Sequence, residues 1–439
     1  MYCNFFICFF EKDMNVPEIL LHYVWQNKLF YVNNLTTIDG SNVEVINVGV
    51  PNTDAGPDFF NAKIIIDDTL WAGNVEIHSH ASDWKKHNHS TDKAYDNVIL
   101  HVVADADLEI FRTNGTKIPQ MVLKFPDEIL QNYTQLLSEK NIILCEKKIK
   151  QVPEIIINSW KTALLVERLQ QKTTAIFDIL FQNKNNWDDA FYAILARNFG
   201  FGTNSEPFEL LAKSLPQNIL AKHKNDIMQI EAMLFGQANL LPDKSAENYV
   251  IELKKEYKFL SQKYNLKPID SSLWKLLRLR PDNFPHVRIA QFAALITQSS
   301  RLFSKIVEIS DINILRKMFV CKPSKFWETH YRFENESPMK YKQLSRQSVD
   351  ILLINTVVSM LFAYAQKRKN SKMEDVAISI LEQLPPEKNA IVEHWRVLGI
   401  ETANAADTQS LLQLRKHYCD KRKCLHCRIG HKIVAKYTL

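Results

Sequence analysis

The chain has 439 residues, 46% of them hydrophobic and 24% charged, with 55 Lys and Arg against 49 Asp and Glu and a net charge of +6. That length exceeds the roughly 250–300 residues at which a single core stops growing, so two or more domains are expected. The composition excludes disordered, collagenous and disulfide-framework proteins, and the small positive charge permits a phosphate-bearing partner without requiring one.

In chain order, the opening stretch MYCNFFICFFEKD has no basic leader and no small-residue cleavage site, so residues 1–13 read as a non-structural N-terminal extension and not as a secretory signal. Met14 opens MNVPEILLHYVW, a helix start with Pro17 in the first turn. Five of the ten glycines (Gly40, Gly49, Gly56, Gly73 and Gly115) lie in the first 115 residues, between β-branched runs such as VEVINVGV, AKIII and NVILHVV. This is strand and turn chemistry. From Pro153 onward the apolar residues recur at helical period, as in PEIIINSWKTALLVERLQQKTTAIFDILF, AENYVIELKKEYKFLSQKY, VRIAQFAALITQSSRLFSKIVE and RQSVDILLINTVVSMLFAYAQKR. The expected fold class is α/β (α+β), with an α/β domain over residues 14–150 and a mostly α-helical domain over 151–439. The longest apolar run, Val349 to Ala365, falls short of the roughly 20 residues of a membrane span and carries Asp350, Asn355, Thr356 and Ser359. It predicts a buried helix, no membrane partner and, by default, a cytoplasmic location. GFGTN after WDDAFYAILARNF reads as a helix stop, and Arg278, Arg280 and Arg288 around PDNFPHV could face phosphates, but more often such arginines brace neighbouring helices. The sequence has no Walker A, dinucleotide-binding or Gly-x-Ser-x-Gly motif, which removes support for ATP-driven and serine-hydrolase readings.

The chemistry concentrates in GPDFFNAKIIIDDTLWAGNVEIHSHASDWKKHNH, residues Gly56 to His89. FFNAKIII and TLWAGNVEIHSH predict two strands of a hairpin, and period-2 alternation puts Glu76, His78 and His80 on one face, Val75 and Ile77 on the other. A three-residue loop Asp67–Thr69 would pair Ile66 with Leu70 and bring Asp58 opposite His78 and diagonal to Glu76; a two-residue loop would send Asp58 to the other face. Two converging carboxylates repel unless a cation lies between them, and hard oxygen ligands suit Mg2+ or Mn2+. The alternative is a turn-capping Asp58 beside a solvated Glu76 and His78. Five of the thirteen histidines (His78, His80, His87, His89 and His101) fall within 24 positions, which keeps a His-rich zinc hydrolase in view. Against it, His87 and His89 precede no helix with i, i+4 ligand spacing, and His101 in an apolar strand reads as a core histidine. Trp84 and Tyr95 read as packing residues.

The order helix, strand, Pro57-Asp58, strand, Glu76-x-His78 resembles the PD-(D/E)XK nuclease core over about residues 14 to 105. The resemblance implies a restriction-endonuclease-like fold in which Asp58 and Glu76 bind the metal, the Ile77 carbonyl is a further ligand, and His78 stands where the family has a lysine. His22 would be the helix-borne histidine that RecB-type members add. The strings GPDF, GNVEIH, SDWKKHNHSTDKAYDNVILHVV, RPDNFPHVRIAQ and CLHCRIG identify the chain as a member of the uncharacterised bacterial family called domain of unknown function twenty-eight fifty-one, which brings no activity with it. The leading expectation is Mg- or Mn-dependent hydrolysis of phosphodiester bonds in DNA or RNA. The alternatives are a non-catalytic nuclease-like scaffold that binds nucleic acid or protein, and the zinc hydrolase.

HYCDKRKCLHCRIGH near the end places Cys419, Cys424 and Cys427 at C-x4-C-x2-C spacing among His417, His426 and His431. Three thiols so close predict a structural metal, zinc or an iron-sulfur cluster. The fourth ligand is either one of these histidines or the distant Cys145; the alternative is a set of reduced free thiols.

Overall fold

A computed structural model of the protein describes residues 16–299 and 301–436; the expected extension over residues 1–13 lies outside them. The chain divides into two compact units, one within residues 1–160 and 416–439, the other within residues 161–415. The Cys-bearing tail therefore belongs to the same unit as the sheet.

The first unit is built on a mixed six-stranded sheet whose strands are β1 (Val43–Asn47), β2 (Val50–Pro51), β3 (Phe59–Ile66), β4 (Thr69–His80), β5 (Val98–Asp105) and β6 (Gln120–Val122). Their order is β1-β3-β4-β5-β6, with β2 also on β3. β3 and β4 run antiparallel, while β4, β5 and β6 run parallel. Six consecutive positions of β5, from Val98 to Val103, are buried, as expected of a parallel strand covered on both faces. Helix α1 (Glu18–Gln26) lies against β4 and inserts Leu20, Leu21, Val24 and Trp25 into the core shared with Phe59, Val75 and Leu100. Its half-buried residues Glu18 and His22 stand one turn apart on a single face.

The β3–β4 hairpin settles the register on which the carboxylate pair depends. Its turn has two residues, Asp67 and Asp68, with Ile66 opposite Thr69, which is the second of the two alternatives the sequence leaves open. Asp67 takes φ +51°, a conformation that Asp tolerates better than most residues. Uninterrupted, this register would aim Asp58 away from Glu76. It is interrupted: Ala62 pairs with Gly73 but Phe59 with Val75, so one residue is inserted in β3, and Asn61 sits there at φ +57°. That β-bulge shifts the strand by one position and returns Asp58 to the Glu76 face. Gly73 is required opposite the bulge, because a Cβ there would lie 2.8 Å from the Asn97 carbonyl and 2.4 Å from Ile99 Cγ2.

The second unit is largely helical. It includes Trp187–Phe199, Ser205–Ser214, Ile227–Gln237, Asn248–Tyr264 and Pro285–Gln298 around a core containing Phe199, Phe208, Phe235, Phe292, Trp327 and Phe362. The helix expected to continue through residue 308 stops at Gln298 and resumes as Leu302–Ile306. The apolar run near residue 350 lies in a helical segment from Arg346 to Arg368, 23 residues long. By length and composition this is enough to cross a membrane, unlike the shorter run read from sequence; 83% of its most apolar window is buried inside the protein. Arg288 is a brace, as expected: it is buried and donates to Gln291, Asn283 and Ser348.

Candidate functional site

The bulged hairpin and α1 bring Asp58, Glu76 and His22 together. The Asp58 backbone N–H donates to Glu76 Oε2 at 3.1 Å, and the Ile77 N–H donates to Asp58 Oδ2 at 2.8 Å. His22 Nε2 is buried and lies 3.3 Å from Asp58 Oδ2, a close contact without regular hydrogen-bond geometry. Glu76 is 4% exposed. Burial, then the neighbouring Asp58 charge, pushes its carboxyl up from 4.5 to about 9. Burial draws the His22 imidazole down, but contact with Asp58, the Glu18 charge and the Ile77 carbonyl outweigh it, and the net shift is upward. Glu18 is raised by burial, against the opposing charge of His22. Among the described residues, the ion-pairing partners of Asp58 and Glu76 are histidines alone. The protein thus gathers carboxylates faster than it supplies cations, an arrangement that a bound metal ion would relieve.

On the far side of Glu76 is a cluster of imidazoles. Glu76 Oε1 lies 3.3 Å from His89 Nε2 and 3.5 Å from His78 Nε2. His78 contacts His101 through Nδ1 at 2.8 Å and His87 through Nε2 at 3.1 Å. The β4–β5 crossover folds back on the sheet to deliver His87 and His89: after a short helix, α2 (Asp83–Lys86), Asn88 turns the chain at φ +63° and a 3-10 turn carries His89 under Tyr95, whose ring stacks on it at 3.7 Å. Trp84 is fully buried against His89 and His101, so it and Tyr95 are packing residues as expected. One ligand atom from each of His78, His87 and His89 lies within 4.8 Å of the others. Burial, and then the charges of His101, His87 and His89, pulls His78 down to about 3; burial does the same to His101. A neutral His78 can ligate or hydrogen-bond but does not carry the positive charge of a lysine. His80 pairs instead with Asp105 at 3.4 Å, its side chain 44% exposed.

The tail forms a separate centre in the same unit. Cys145 is pushed up to about 12 by burial and then by the charges of Cys427 and Cys424; Cys424 is pushed up to about 11 by burial and then by Cys427. Cys427 stands at the N-cap position of the helix Arg428–Val434 without a side-chain capping hydrogen bond, and burial raises its thiol. Gly430 is obligatory, because a Cβ there would stand 2.1 Å from the Cys424 carbonyl oxygen. Cys419 ends the preceding π-helical segment, Leu414–Cys419. His431 is bound to Tyr23 on α1 at 2.9 Å, which gives that histidine an occupation other than closing a thiolate set. Among the described residues, the groups whose ligand atoms all lie within 4.8 Å of one another include no cysteine, so a thiophilic ion shared by Cys145, Cys424 and Cys427 would have to draw these side chains together.

Of the residues that the sequence singles out, Asp58, Glu76, His78 and His22 come together in the structure. Sequence reasoning left His87 and His89 without a role, because their approach to Glu76 is made by a crossover and not by helical spacing. It overlooked Glu18, whose signal was available: i, i+4 to His22 on a predicted helix. The chain belongs to the family described as "Protein of unknown function (DUF2851)", whose model matches residues 18–390. No curated protein and no solved structure matches it.

Proposed function

We propose that the protein hydrolyses phosphodiester bonds of nucleic acid with a divalent cation, Mg2+ or Mn2+, held by Asp58, Glu76, His22 and the Ile77 carbonyl. The reading rests on one observation: two carboxylates straddle a hairpin, one of them held far above its usual range, with a buried imidazole nitrogen in contact with the other. Their disposition, with the histidine coming from a preceding helix, is what the PD-(D/E)XK resemblance implies. When bound, such an ion neutralises the pair, lowers the pKa of a bound water and offsets charge developing on the phosphate. Glu76 gives up its proton as the site fills, and its Oε1 stays turned toward His78 and His89. The His78 and His89 imidazoles, His78 held neutral by burial, keep the Glu76 carboxylate in place, with exposed His87 beside them. Metal-stripped protein given Mg2+ or Mn2+ and single- or double-stranded DNA or RNA should cleave at least one substrate, and Asp58→Ala should lower the rate by about 100-fold or more. Cleavage that survives both Asp58→Ala and Glu76→Ala, or binding without cleavage under every condition, would refute it; the latter result would favour the non-catalytic scaffold.

A second reading draws on the closeness of His78, His87 and His89: a zinc-dependent hydrolase centred on the three imidazoles. His87 is exposed, so His87→Ala leaves the fold intact and discriminates. Loss of activity with zinc, together with no activity of the wild type in Mg2+ or Mn2+, would support this reading over the first.

A further inference from the structure

The second unit contains a cluster unrelated to the hairpin site. Glu247, His330 and Glu336 each place one ligand atom within 4.8 Å of the other two. Donor atoms sharing one divalent ion, at metal–ligand distances of roughly 2.0–2.2 Å, stand about 3–4.4 Å apart, so small side-chain adjustments close this set on a single ion. His330 is only 4% exposed. Its ring is stacked on Phe326 at 3.9 Å and 9°, and its Nδ1 lies 3.1 Å from the Phe326 carbonyl and 3.0 Å from the Thr329 hydroxyl. A ring nitrogen bonded to a carbonyl carries the hydrogen, so Nε2 holds the lone pair, the same backbone-fixed tautomer that orients metal-binding histidines.

The backbone sets the other donors. His330 and Glu336 face each other across an isolated antiparallel bridge, which is reinforced where the Ser337 N–H and hydroxyl both donate to the Thr329 carbonyl. Glu247 immediately precedes the helix Asn248–Tyr264, and the Ser245 hydroxyl accepts its N–H. The backbones that carry two of the three donors are thus fixed relative to one another before any ion arrives, which lowers the ordering cost of binding.

We propose that Glu247, His330 and Glu336 form a divalent-cation site, with Zn2+ or Mn2+ as the class that two carboxylates and one imidazole suit. Both glutamates are exposed, so water completes the coordination sphere. The ion ties the start of the helix Asn248–Tyr264 to the stretch from residue 320 to 345, whose regular structure is one 3-10 turn, Lys325–Glu328. The site is a cross-link within the helical unit, separate in sequence and ligands from the hairpin and cysteine centres.

The test uses the full-length chain, stripped with EDTA and equilibrated against buffered Zn2+, with bound zinc counted by atomic emission. Glu336→Gln and Glu247→Gln each change an exposed side chain, so both proteins fold. Each should bind about one zinc fewer than the wild type and lose part of the zinc-induced rise in thermal midpoint, while matching the wild type in EDTA. Unchanged zinc stoichiometry in both variants would overturn the proposal. So would midpoints that fall by the same amount with and without zinc, because the glutamates would then act on the fold and not through an ion.

Discussion

Glu76→Gln removes an ionisation that the fold opposes, and its consequence for stability follows from the burial of the side chain. In the unfolded chain the Glu76 carboxyl ionises near its ordinary 4.5, while in the metal-free folded protein burial and Asp58 hold the proton on up to about 9. A group with a raised folded pKa contributes stability that is fully present below its unfolded pKa and is lost as pH rises toward its folded pKa. From pH 4.5 to pH 7 this covers two and a half pH units at about 1.36 kcal/mol each, or roughly 3 kcal/mol. The figure at pH 7 depends on the ordinary value alone, provided the folded carboxyl remains protonated there. Glutamine is nearly isosteric and uncharged at every pH, so the variant escapes this loss. Urea denaturation of EDTA-treated protein at pH 5, 6, 7 and 8 should show the wild type losing about 1.4 kcal/mol per pH unit relative to Glu76→Gln. Buried His78 and His101, drawn down to about 3, have the opposite sign: their contribution is present above pH 6.5 and is lost as pH falls. It is common to both proteins and cancels in the difference. Mn2+ should reverse the trend for the wild type alone, because the ion takes the place of the Glu76 proton and binds more tightly as pH rises. Parallel pH profiles for the two metal-free proteins would refute the reasoning.

Deleting Asn61 removes the bulge and turns Asp58 to the opposite face of the sheet, so Mn2+ affinity at the carboxylate pair should fall by about 100-fold while the pairing from Ala62 to Ile66 survives; retained affinity would show that Asp58 does not depend on the bulge. Cys145→Ser should lower both the metal content of anaerobically purified protein and its melting temperature, since a site joining Cys145 to Cys424 and Cys427 would contribute directly to folding. Unchanged metal content in that variant would make the site local to the tail, and a metal-free wild type would remove it.

Local patterning determined much of this protein. The β-branched runs among glycines specify the strands of the first unit, helical periodicity specifies Glu154–Gln182 and Asn248–Tyr264, and Pro17 before an apolar periodic stretch marks the start of α1, because each depends on neighbours a few residues apart. The hairpin itself was legible, but not which face Asp58 would occupy. That rested on two offsetting details, a two-residue turn and an inserted residue at Asn61, and a bulge leaves no periodic signature because it breaks the period at one position. His87 and His89 are placed by the route of the parallel crossover, so their approach to Glu76 exists only once β5 has docked beside β4. The return of the tail is less local still: Tyr23 meets His431 across 408 positions. Closing so long a loop is opposed by chain entropy and rewarded only when Leu425 and Val434 enter the core of the first unit. Sequence spacing supplied the chemistry of each centre, and tertiary contact decided which of its residues meet.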